Sequence, residues 1–85
     1  LEVIKFSLPA CPPCRVYGPI FDEVAKTTEG VEFKSYDARE ERELSAKFNV
    51  RRVPVTFFVK DGTVVERLMG VLTETQLKRL IKKYK

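Results

Sequence analysis

Along this chain the apolar residues switch between a period of two and a period of three to four, and the switches mark out its elements. Glu2-Val3-Ile4-Lys5-Phe6-Ser7 is a short apolar-rich run closed by Pro9, and it predicts a buried strand. Val16, Tyr17, Ile20, Phe21, Val24 and Ala25 then recur at helical spacing, the stripe of a helix with one face in a core. Pro19 lies inside that helix and is expected to kink it; Gly30 is expected to end it. Val31-Glu32-Phe33-Lys34-Ser35-Tyr36 alternates as a second strand. Asp37 with Glu40 offers an N-cap and capping box for a short helix carrying Leu44 and Phe48.

Two more apolar runs follow, Val55-Thr56-Phe57-Phe58-Val59 and Val64-Val65-Glu66-Arg67-Leu68-Met69. The Asp61-Gly62 pair between them is a strong hairpin signal, because both turn positions favour residues that tolerate positive φ. Gly70 breaks the pattern. Thr73 with Gln76 forms a second capping box, ahead of a last helix that buries Leu77, Leu80, Ile81 and Tyr84. The order is β-α-β-α-β-β-α. A helix joining the first two strands makes them parallel through a right-handed crossover, and the hairpin adds an antiparallel pair. The expected fold is α/β: a four-stranded mixed sheet with helices on both faces, one domain over residues 1–85.

Size and composition narrow the function classes. Eighty-five residues leave little room for a second core. The net charge is +4, part of it in Leu77-Lys78-Arg79-Leu80-Ile81-Lys82-Lys83-Tyr84-Lys85. Those cations complement a helix C-terminus and leave the apolar stripe intact, so they read as a solvated face and not a nucleic-acid patch. No apolar run is long enough to span a bilayer as a helix, and no membrane partner is expected.

The chemistry is concentrated in Cys11-Pro12-Pro13-Cys14, which holds both cysteines of the chain. The motif sits where a strand pattern hands over to a helix pattern. A helix N-terminus offers unpaired N–H groups and positive potential to a sulfur placed there. Pro12 and Pro13 have no N–H to give, so the Cys14 N–H is the expected donor to Cys11, and the prolines pre-set φ for the first turn. Cys11 is therefore the expected nucleophile. Cys14, one turn in and more buried, is the expected resolving thiol. Arg15 follows directly, and adds positive potential unless it points to solvent. A zinc site would need further ligands in a chain that has no histidine, and a permanent disulfide across so short a loop would remove little unfolded-state entropy. A lone CxxC fits a reducing compartment, and the cytoplasm is the expected location.

Pro54, between Val53 and Val55 at the head of an apolar strand, is where proline is normally excluded. With the Cys-Pro-Pro-Cys motif it makes the chain resemble the thioredoxin superfamily over essentially its whole length. Pro19, five residues after the second cysteine, Lys60-Asp61-Gly62-Thr63 at the hairpin and Met69-Gly70-Val71 after it fall where the thioredoxin branch has its corresponding features. The resemblance implies a cis-proline at Pro54 packed against the dithiol. It also implies that the Val53 backbone pairs with an extended substrate segment, and that Gly70 lets substrate approach. It implies a docking rim of Pro9, Ala10, Pro12, Val53, Pro54, Gly70 and Val71 beside Arg51 and Arg52. The activity implied is reduction of protein disulfides by a monomer with no bound cofactor, the redox group being the Cys11–Cys14 pair. A thioredoxin-reductase-type enzyme or a low-molecular-weight thiol would return the electrons.

The departures are also informative. Ala10 and Pro12 stand where thioredoxins usually have tryptophan and glycine, which opens the rim. Lys5 replaces the family's buried aspartate, and Phe33 replaces that aspartate's lysine partner, so the usual proton relay does not carry over. Lys5 is expected to snorkel to an edge, leaving water or Glu2 to handle the proton; turned inward, its charge would favour a Cys14 thiolate. The short length resembles a glutaredoxin, yet Leu8 and Gly70-Val71-Leu72-Thr73 stand where that branch binds glutathione, and only the Val-Pro pair matches. The alternatives are a glutathione-coupled oxidoreductase and a non-catalytic metal-handling module using the two thiolates.

Overall fold

The computed structural model describes all residues from Leu1 to Lys85. The elements run β1 (Glu2–Ser7), α1 (Pro12–Thr27), β2 (Glu32–Asp37), α2 (Arg42–Lys47), β3 (Val55–Lys60), β4 (Thr63–Met69) and α3 (Glu74–Tyr84). The sheet order is β2-β1-β3-β4, with β1 parallel to β2 and antiparallel to β3, and β3 antiparallel to β4. This is the expected thioredoxin-like α/β arrangement.

Because β1 and β3 are interior strands, each feeds two cores. Val3 and Phe58 turn toward α1 and α3, where Tyr17, Phe21, Val24, Leu72, Leu77 and Ile81 complete one cluster. Ile4, Phe6, Val55, Phe57 and Val59 turn the other way, and Leu44 and Phe48 of the α2 segment cover part of them. Period-two alternation in a strand covered on both faces explains why the run reads as continuously apolar. Asp61 (φ 52°) and Gly62 (φ 78°) form the tight β3–β4 turn, which closes the Lys60–Thr63 pair. The Thr73 capping box is complete: Thr73 Oγ1 accepts from Gln76 N at 3.1 Å, and Gln76 Oε1 accepts from Thr73 N at 2.8 Å.

Four expectations are corrected. Val16 is 58% exposed, so the buried stripe of α1 is Cys14, Tyr17, Phe21 and Val24. Val16 lies two residues from Cys14, about 200° around the helix and off that face. α1 ends at Thr27, ahead of Gly30, whose φ of +76° serves the turn into β2. Asp37 caps no helix; it is the last residue of β2, paired with Ser7, and its Oδ1 accepts from Arg39 N and Glu40 N in a local turn. α2 starts later, after Glu41, with no side-chain cap. Lys5 does not reach an edge; it is 6% exposed and lies inside the sheet, beneath α1.

Candidate active site

The start of α1 is built around sulfur. Of the first backbone donors of the helix, Pro12 and Pro13 have none, Cys11 N donates to Leu8 O at 3.3 Å, and Cys14 N donates to Cys11 Sγ at 3.3 Å. Arg15 N then opens the main-chain ladder to Cys11 O. Cys11 is thus the N-cap, its sulfur taking the place a serine or aspartate oxygen usually fills. Every early donor is accounted for.

The two thiols are unequal. Cys11 is half-buried at the surface, and Cys14 is buried beneath it. Their sulfurs lie 2.6 Å apart, both free, with Cys14 donating. Burial pushes the Cys14 thiol above its ordinary range; its hydrogen bond to Cys11 adds to this, while the Leu8 main chain and the Lys5 charge act the other way.

A second strand end meets the dithiol. The Val53–Pro54 bond is cis, Val53 O lies 3.8 Å from Cys11 Sγ, and Pro54 is buried. Pro54 O accepts from Gly70 N at 2.8 Å, which ties the exit of β4 to the same corner. Gly70 has φ +91° and open space where a Cβ would stand, so it leaves the approach bare. The structure therefore brings Cys11, Cys14, Val53, Pro54 and Gly70 together. Pro9, Ala10 and Val71 stand exposed on the loops around them, as do Arg51 and Arg52, and Pro12 stands exposed at the first position of α1. Arg15 faces outward, and its Nε donates to Pro9 O at 3.1 Å, so it braces the loop ahead of Cys11. Glu2 does not serve the dithiol: it is at the opposite end of β1, paired with Lys34 at 2.7 Å.

Some features were not anticipated. Met69 (60% exposed) and Val16 (58%) add apolar surface next to Gly70 and on α1. Their neighbours Gly70 and Cys14 were the available signals. Beneath the dithiol, Tyr17 OH and Thr56 Oγ1 form a fully buried hydrogen bond of 2.7 Å. A threonine inside an apolar strand run was the sign that some buried polar partner had to meet it. A groove of about 570 Å³ lined by Tyr36, Phe48, Phe57 and Val64 lies across the α2 face, away from the cysteines. No cluster of three or more His, Cys, Asp or Glu side chains is arranged to hold a metal ion, and no helix is long and apolar enough to cross a membrane.

The thioredoxin family model matches residues 1–83. The chain is 32% identical to a thioredoxin of Mycoplasmoides gallisepticum over 80 residues, covering 94% of this chain and 80% of that protein. The structure of Fasciola hepatica thioredoxin superposes with a TM-score of 0.91 at 36% identity, covering 99% of this chain and 80% of the other. Oxidised thioredoxin from Plasmodium falciparum gives 0.84 at 31% identity, covering 98% and 79%. The chain belongs to the thioredoxin family, and its general activity is that of a thiol–disulfide oxidoreductase.

Proposed function

We propose that this thioredoxin-family chain reduces protein disulfides by two-step dithiol exchange, with Cys11 attacking and Cys14 resolving. The observation that carries the reading is the inequality of two hydrogen-bonded thiols. Cys11 is accessible and receives the Cys14 N–H, whereas Cys14 is buried and holds its proton above the ordinary thiol range. Cys11 thiolate attacks one sulfur of a partner disulfide, forming a Cys11–S–S–partner bond and expelling the other partner sulfur as thiolate. Cys14, once deprotonated, attacks Cys11 Sγ. The Cys11–Cys14 bond forms, the bond to the partner breaks, and the second partner sulfur leaves as thiolate. Two electrons pass from enzyme dithiol to partner disulfide, so the redox group is the cysteine pair itself.

The partner chain approaches over Pro9, Ala10, Pro12, Gly70 and Val71, with the Val53 main chain beside the reactive sulfur. Exposed Arg51 and Arg52 favour acidic partners. A thioredoxin-reductase-type enzyme or a small thiol returns the electrons, and the working unit is a monomer in a reducing compartment such as the cytoplasm. The test is turnover of a protein disulfide with dithiothreitol as recycling reductant. Cys11→Ser is expected to abolish it. Unchanged turnover in that variant, or stoichiometric Zn²⁺ or Cu⁺ binding without turnover in the parent, contradicts the reading.

A further inference from the structure

Among the buried residues one carries a formal charge, Lys5. A charged side chain is seldom buried without a carboxylate or a set of acceptors. No carboxylate pairs with this one: the ion pairs of the structure are Lys34 with Glu2 and Glu32, and Lys78 with Glu74. Lys5 Nζ lies instead over the Phe21 ring, 5.1 Å from its centroid. It also sits 3.9 Å from where a Cβ on Gly18 would be. Gly18 thus leaves a notch in the α1 surface between Cys14, four residues earlier, and Phe21, three residues later. Residues four apart on a helix are direct neighbours, so the ammonium lies against the helix position one turn on from Cys14.

From this juxtaposition we infer that Lys5 is a positioning residue for the resolving step, its buried ammonium acting as the counter-charge to the Cys14 thiolate. The inference rests on the assignment of Cys14 as resolving thiol. Electrostatics agree in sign: the Lys5 charge is among the influences that lower the proton affinity of Cys14, against the larger effect of burial. The other groups facing Cys14 do not supply that charge. Cys11 is itself a thiol across 2.6 Å. The Tyr17 phenol on α1 is engaged with Thr56 of β3. Arg15 points to the Pro9 carbonyl, and Ser35, opposite Lys5 on β2, is uncharged.

Two measurements test this. In Cys11→Ser, Cys14 is the sole thiol, and ultraviolet thiolate absorbance follows its titration. Adding Lys5→Met, which keeps bulk in the core, or Lys5→Gln, which keeps polarity, is expected to raise the midpoint by about half to one pH unit. In proteins with both cysteines, each Lys5 substitution is expected to slow release of a pre-formed Cys11 mixed disulfide at neutral pH. The loss is about two- to threefold, because the rarer thiolate is also the better nucleophile. Above both midpoints the order reverses for the same reason, a crossing that mere loosening of the fold would not produce. An unmoved midpoint in both variants overturns the inference, as does a rate loss that is the same at every pH. A shift in Lys5→Met without one in Lys5→Gln also overturns it, since packing and not charge would then be at work. The titration needs no turnover. Failure of the exchange reading would appear separately, as absence of release from the unsubstituted protein.

Discussion

Replacing Tyr17 with phenylalanine removes one oxygen from the layer beneath the cysteines, and its effect should change with pH. The Tyr17 and Thr56 hydroxyls are 2.7 Å apart, and both residues are 0% exposed. At neutral pH the Tyr17→Phe variant strands the Thr56 hydroxyl in the core, at a cost of about 1–3 kcal/mol. For a domain this small, each kcal/mol lowers Tm by about 4–8 °C. At alkaline pH the same phenol becomes a liability. Burial pushes it from 10.0 up to about 12, with the Thr56 hydrogen bond offsetting part of the rise. The folded state then holds this proton more tightly than the unfolded chain does. The resulting stability is fully present below pH 10 and is lost as pH rises toward 12, by about 3 kcal/mol in all. Phenylalanine has no proton to lose. Denaturant titrations of parent and Tyr17→Phe from neutral pH to pH 12 should therefore show a gap that narrows toward zero above pH 10. The double variant with Thr56→Val should recover most of the neutral-pH loss, since no buried polar group is left unpaired. A gap that stays constant across the range would show that burial does not hold the Tyr17 proton.

Other expected outcomes follow from local geometry. Thr73→Ala removes the hydroxyl half of the α3 capping box and should cost about 1 kcal/mol in denaturant unfolding, with disulfide turnover unchanged. Gly18→Ala should stabilise by about 0.5–1 kcal/mol, because an alanine Cβ would stand 3.9 Å from Lys5 Nζ, in ordinary contact, while gaining helix propensity. Val16→Lys should leave Tm nearly unchanged, as its side chain already faces solvent; a large loss would restore Val16 to the core.

The elements that were legible in the sequence are those whose signals are local. Asp61-Gly62 gave the hairpin because its positive-φ requirement is met by few residue pairs, and Thr73 with Gln76 gave the start of α3 through two reciprocal hydrogen bonds. Asp37 with Glu40 carries nearly the same local signal and resolves differently. Ser7 on β1 pairs with Asp37, and Ala38 N donates to Ser7 O, so strand pairing holds the segment extended and Asp37 spends its carboxylate on a turn. That competition is non-local, and spacing alone does not display it. Cys11, Cys14 and their inequality were legible because a helix start fixes which N–H groups exist. Lys5 departs from the expected edge position for a topological reason: a lysine can snorkel from an edge strand, but β1 lies between β2 and β3 with both faces covered. The notch that Gly18 leaves in α1, together with the Phe21 ring, shows where the ammonium goes.

Capture of the exchange intermediate separates the attacking thiol from the resolving one. Cys14→Ser, incubated with a protein disulfide and examined by mass spectrometry after proteolysis, should accumulate a covalent adduct whose partner sulfur maps to Cys11, while Cys11→Ser forms none. An adduct on Cys14 in Cys11→Ser at a comparable rate, or no adduct on Cys11 in Cys14→Ser, would contradict the assignment of attacking and resolving thiols on which the account stands.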